Sequence, residues 1–217
     1  MEKVFLEILP LALAATFSPS GLLFVTMILS GKENPKRHAI LFLLGAIVFL
    51  VVLGSFLLVT FKPAIEAASQ PDRRSGYLDI AFGILIIIFI GQRLIFAKKK
   101  KPEKKKQRKS PFLVLGFGFM IINTSTLIPF IAACKIISDG GLAAGEDLIL
   151  LAFLIITTMF MISFPVIITA LMPKKSDVVM VPVKSFMAKH GSVIAKGYFL
   201  LIAAYLIFHG IREIQGG

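Results

Sequence analysis

Two short polar interruptions in otherwise apolar sequence are the places where this chain could do chemistry. The first is Ser18-Pro19-Ser20-Gly21, and the second is Asn123-Thr124-Ser125-Thr126, followed by Pro129. Each joins side chains that donate and accept hydrogen bonds to a proline, which deletes a backbone donor and clashes with the preceding turn. A kink or break in a helix is therefore predicted at each. Ser18 lies 14 residues past Val4 and Asn123 lies 11 past Phe112. At 1.5 Å per residue these depths are about 21 and 17 Å, both near the middle of a ~30 Å hydrocarbon core. Backbone groups freed at that depth are tolerated only where protein or water satisfies them. Either interruption alone reads as a bend or a packing contact. As a pair at matched depth, Ser18, Pro19, Ser20, Asn123, Thr124 and Ser125 form a candidate substrate-binding set.

The elements that would position such a set are membrane-spanning helices. Hydrophobic residues make up 57% of the 217, yet the formal charge is +12, because the charges crowd between long apolar stretches. Six stretches are long enough to span: Val4–Leu29, Ala39–Phe61, Tyr77–Ala97, Phe112–Ile137, Leu148–Met172 and Ser192–Ile211. The expected fold is all-α and polytopic, with no room for a sizeable extramembrane domain. Strands are excluded by pattern, since a membrane β-barrel alternates polarity in ~10-residue pieces and these runs are continuous. The start, with Glu2 and Lys3, lacks the basic n-region and small-residue cleavage site of a signal peptide, so the first stretch is read as a retained span.

Charge sets the orientation. The first loop and the regions Arg93–Lys109 and Lys174–Lys196 around the third and fifth carry 18 of the 24 Lys and Arg residues, and only Glu33, Glu103 and Asp177 among the acids. By the positive-inside rule those loops are cytoplasmic and both termini lie outside the cell membrane. Residues 1–97 then form a first three-span repeat, 98–111 a basic linker and 112–217 a second three-span repeat. Halves with an odd number of spans cross in opposite directions. The run Lys98–Lys109 reads as a solvated, topology-fixing linker, with attraction to anionic headgroups compatible with that role. Nucleic acid is not expected as a partner, because no folded reading module accompanies the lysines. In the fifth loop, Pro182 and Gly191 bracket a predicted short amphipathic helix on which His190 is an interfacial surface residue.

The first half, SPSGLLFVTMILSGKENPKRHAILFLLGAIVFLVVLGSF, resembles the LysE-type exporter superfamily. The nearest branch includes the sulfolipid- and peptidoglycolipid-addressing proteins. The shared pattern is Ser-Pro in the first span, the basic turn Lys36-Arg37, and a Leu-rich second span with Gly45. In the second half GFGFMIINTSTLIPF, Pro165 and KSFMAKHG are similar too. This sequence departs by reading Asn123-Thr124 where members commonly carry Asn-Pro, its proline being displaced to Pro129. The resemblance implies a six-span fold of two inverted three-helix repeats and a role in moving solutes or lipids outward.

Other chemistry finds little support. One cysteine, Cys134, cannot make a thiol–disulfide relay, and its reading is a small apolar helix residue. Glu7, Asp79 and Lys135 fall near outer span ends, where solvation or ion pairing is expected, and His209 reads as a helix-end cap. Gly45, Gly54, Gly83, Gly91, Gly116 and Gly118 read as sites of close helix packing. No nucleotide, zinc or nucleophile motif is present, so no cofactor and no enzymatic activity are expected. Two functions remain: export of a small polar solute such as an amino acid, or translocation of a lipid or glycolipid. A membrane scaffold working with a partner is the third reading. The expected partners are the bilayer and a small-molecule or lipid substrate, and a homo-oligomer is compatible with the pattern. Cysteines placed in the Lys98–Lys109 run are expected to be labelled only from the cytoplasmic side, and both termini only from outside. Labelling of a terminal cysteine in inside-out vesicles by an impermeant reagent would overturn the orientation.

Overall fold

The computed structural model describes residues 1–31, 33–66, 77, 80, 81, 84, 87, 88, 111–171 and 176–215. Their regular structure is helical, with no strand among the described residues. Seven continuous helices are α1 (Glu2–Thr16), α2 (Pro19–Leu29), α3 (Pro35–Glu66), α4 (Phe112–Ile122), α5 (Thr124–Asp139), α6 (Ala144–Leu171) and α7 (Ser176–Ile214). Apart from six helical positions, the predicted third span lies outside the described residues, as do Asp79, the lysine linker and the side chain of His209.

Two segments, Pro35–Phe61 in α3 and Ala144–Leu171 in α6, are each long and apolar enough to cross a membrane. The α1–α2 and α4–α5 pairs are also apolar enough when each is taken as one span, and they bend by 46° and 73° at their breaks. The chain is therefore a helical membrane protein, and the first and fourth predicted spans are both broken helices. The last predicted span lies within α7. Here the structure differs from the sequence reading, because α7 runs unbroken through Pro182 and Gly191. An interior proline costs one backbone bond and a clash with the preceding turn, and α7 absorbs both. At 39 residues it is about 59 Å long, well beyond the hydrocarbon thickness. His190 is exposed and sits 5.0 Å from the Phe186 ring, a surface position.

The bundle is built by exchange between the halves. α1 packs on α5 and α6, α2 on α6 and α3, and α5 on α3 and α6, while α4 lies chiefly along α3. The core between them is fully buried and apolar, with Ile8 and Leu11 from α1, Phe42 and Leu50 from α3, Phe130 and Ile137 from α5, and Leu154 and Ile162 from α6. Cys134 is buried in it, as expected of a small apolar residue. The α3–α4 contact depends on two glycines used reciprocally. A Cβ on Gly45 would collide with the backbone carbonyl of Leu113, and a Cβ on Gly116 would collide with that of Phe42. Backbone cannot swing aside as a side chain can, so both positions require hydrogen in place of Cβ.

Replacing Gly45 or Gly116 by alanine is expected to lower thermal stability in detergent by about 1–3 kcal/mol through overpacking. Gly118→Ala, whose added carbon meets nothing within 4 Å, is expected to leave the melting temperature unchanged or higher. Equal melting of all three variants would show that the helices do not depend on this crossing.

Candidate functional site

The first break is made by Phe17 and Ser18. The Phe17 amide turns back to the Ala14 carbonyl and closes α1. Ser18 then leaves the helical conformation (φ −121°, ψ 78°) and caps α2, its Oγ accepting the Gly21 amide at 3.3 Å. Pro19 occupies the start of α2, where a missing N–H costs little. The second break is made by Asn123 alone, at φ −85° and ψ 62°. Its amide donates to the Met120 carbonyl, and its own carbonyl accepts from Thr126 and Leu127. Pro129 lies inside α5, so this proline is not the breaker.

The two breaks meet. Asn123 Nδ2 donates to Ser18 Oγ at 2.9 Å and to Thr126 Oγ1 at 2.9 Å, while Ser125 Oγ donates to Asn123 Oδ1 at 2.9 Å. Ser18, Asn123, Ser125 and Thr126 are all buried. One amide thus spends both hydrogens and its oxygen, one of the three bonds crossing 105 residues of sequence, which meets the requirement that polar groups away from water find partners. Of the six residues singled out from sequence, the structure brings Ser18, Asn123 and Ser125 into one network. Pro19 and Thr124 flank it half-buried, and Ser20 is exposed with no hydrogen bond to the network.

α6 supplies the third wall. Thr16 Oγ1 lies 2.7 Å from the Thr157 carbonyl, which holds the end of α1 against α6. The Ser18 amide points at Met161 Sδ, 3.3 Å away. A Cβ on Gly21 would sit 2.8 Å from Ile162, so α2 also lies close to α6. On another side, the rings of Phe24, Phe42 and Phe119 meet at centroid distances of 5.1 to 5.4 Å, joining α2, α3 and α4. The sequence reading missed α6 as a wall. Its visible signal was Thr157-Thr158, an adjacent polar pair within an apolar run.

Lys135 takes the ion-paired of its two expected roles, but away from water. It is fully buried on α5, with Nζ 2.8 Å from Asp139 Oδ2 one turn later. The predicted fourth span ended at Ile137, which cut off the partner. Spacing of i, i+4 on one helix was the signal available. Asp147, in the first turn of α6, is also buried.

The family described as Sap, sulfolipid-1-addressing protein matches residues 8–212, a span that includes both breaks and every helix except the outermost turns, and the chain belongs to that family. No curated protein and no solved structure matches it.

Lys135→Met removes the fully buried cation of the 2.8 Å pair with Asp139, and breaking a buried pair costs about 3–5 kcal/mol. Lys3, by contrast, is 89% exposed in its 3.9 Å pair with Glu7, and exposed pairs contribute little. Lys135→Met is therefore expected to lower the melting temperature sharply and Lys3→Met hardly at all. Equal effects in a thermal scan of the purified protein would contradict a buried role for Lys135.

Proposed function

We propose that this member of the sulfolipid-1-addressing family is a membrane transporter that moves a lipid-like amphiphile across the cell membrane, without covalent change to its cargo. The observation that carries the reading is the buried bond between Asn123 and Ser18, which closes two broken helices on each other. Broken helices that meet inside a bundle place hydrogen-bonding groups at depth, where a polar headgroup crossing the membrane needs them. The family name supports a lipid over other cargo.

The proposed architecture is six spans in two inverted three-helix repeats, with the basic odd loops in the cytoplasm. Support comes from the packing partners. Exchanging α1 with α4, α2 with α5 and α3 with α6 turns the α2–α6 contact into α5–α3, the α1–α6 contact into α4–α3, and the α2–α3 contact into α5–α6. All six of these contacts are present, while the α1–α5 contact becomes α4–α2, where the Phe24 and Phe119 rings meet without close backbone approach. Two halves related in this way can rock about the junction, opening it to one side and then the other. A small polar solute such as an amino acid is the second cargo, favoured by the small side chains that make up the junction.

Reconstitution into vesicles tests the reading. Wild-type protein is expected to speed the exchange of a fluorescent lipid between leaflets relative to protein-free vesicles. Ser18→Val, which deletes the hydroxyl on which Asn123 closes, is expected to lower that rate about tenfold while the folded protein still elutes as wild type. The lost cap costs about 1 kcal/mol, and the Asn123 hydrogen left unpaired costs about 1–3 kcal/mol. Lipid exchange no faster than in protein-free vesicles would reject the lipid reading, and uptake of a labelled amino acid by the same vesicles would favour the second.

A further inference from the structure

Exchange of the two halves sends the α1–α5 seam to α4–α2, and these two seams are unlike. α1 and α5 pack along each other on the terminal side of the junction. They are close enough that a Cβ on Gly140 would sit 2.6 Å from Val4 Cγ2. On the side of the basic loops α2 and α4 stand apart, with no Cα of one within 8 Å of a Cα of the other. The stacked rings of Phe24 and Phe119, 5.3 Å between centroids, bridge that gap, and both touch the buried Phe42.

Burial and bending carry the same inequality. Twelve of 16 residues are buried in α5, but four of 11 in its counterpart α2. Six of 15 are buried in α1, and two of 11 in its counterpart α4. The α4–α5 break bends by 73° and the α1–α2 break by 46°. With α5 laid on α1, the sharper bend carries α4 off α2 and along α3, where Gly45 and Gly116 let it settle. Phe24 is six residues past Ser18 and Phe119 four before Asn123, about 9 and 6 Å along their helices. The ring pair therefore lies within two turns of the junction, on the side of the basic loops.

In a device made of two equivalent halves, giving each half the other's conformation maps one end state onto the other. A structure with equal bends and equal seams would be its own image. This one is not, so its image is a second conformation. We propose that the structure is one end state of a two-state carrier, open on the basic-loop side, with the α2–α4 gap the portal to the junction and Phe24 and Phe119 the gate across it; this rests on the transport reading above. In the other end state the bends trade places, so that α2 and α4 close on each other and α1 parts from α5. Parting or re-seating two stacked rings breaks no hydrogen bond, so the gate moves without leaving a polar group unpaired in hydrocarbon.

Distances across the gap test this. Met27 and Val114, each nine residues from its break, are exposed on α2 and α4. Nitroxides on Met27→Cys and Val114→Cys, with Cys134 replaced by alanine and the full chain in lipid vesicles, are expected to give two distance populations by double electron–electron resonance. The longer belongs to the state described. The other is shorter by about 6 Å, the displacement that the difference between 73° and 46° gives over nine helical residues. Phe24→Ala removes both the bridge and the bulk that closure must accommodate, so it should enrich the shorter population at least twofold, whereas Leu23→Ala should not. Val4→Cys with Gly140→Cys places two thiols within disulfide reach. Oxidation of that pair is expected to slow leaflet exchange at least tenfold, and reduction to restore it. A single distance, a second population longer than the first, unchanged populations in Phe24→Ala, or undiminished exchange in the oxidised pair would overturn the proposal. Two populations without leaflet exchange in the wild type would uphold the gate and remove the transport reading. Exchange with a single distance would do the reverse.

Discussion

A backbone amide or carbonyl removed from water and left unpaired in hydrocarbon costs several kcal/mol, so a membrane chain can leave the helix only where something else takes over its hydrogen bonds. That constraint explains the centre of this protein. Each of the two breaks needs partners, and neither can find enough of them within its own half. Asn123 reaches Ser18, Ser18 turns its amide to Met161, and Thr16 leans on the Thr157 carbonyl. The packing of α1 and α2 on α6 follows from these bonds as much as from apolar area. With the junction in place, the remaining helices have fixed positions around it.

Two other devices hold the surround. Close approach of α3 and α4 through Gly45 and Gly116 brings backbone against backbone. In lipid, where tails are as apolar as leucine, such contact is a main source of helix association. The buried pair of Lys135 and Asp139 works differently. A charge pair with one member fully enclosed is a poor source of net stability. Both members lie on α5, so the pair lets the helix that carries Ser125 and Thr126 into the junction bury a cation with its counter-ion one turn away.

The breaks were legible in the sequence because Ser, Asn and Pro are conspicuous among Leu, Ile and Phe. Their meeting was legible from matched depth in halves of odd span number. Which residue does the breaking was not. Pro129 looked as able as Asn123, but a proline can be carried inside a helix whose neighbours satisfy the freed carbonyl, as Pro10, Pro165 and Pro182 also are. The continuity of α7 was hidden for the same reason. The burial of Lys135 was hidden by another: hydropathy along a chain measures distance from a span end, not the depth to which neighbouring helices enclose a side chain.

The distance in sequence between Ser18 and Asn123 also has a consequence for how the protein is made. Their bond spans 105 residues. At the ~5–20 residues per second of synthesis, roughly 5–20 s pass between emergence of the first break and emergence of its partner. Through that interval the nascent first half carries a bent, half-satisfied helix with no α5 or α6 to lean on. Water or the insertion machinery must hold Ser18 and the end of α1 until the second half arrives. Biogenesis of this chain is thus tied to the arrival of one carboxamide, and anything that delays it prolongs exposure of the first break to quality control.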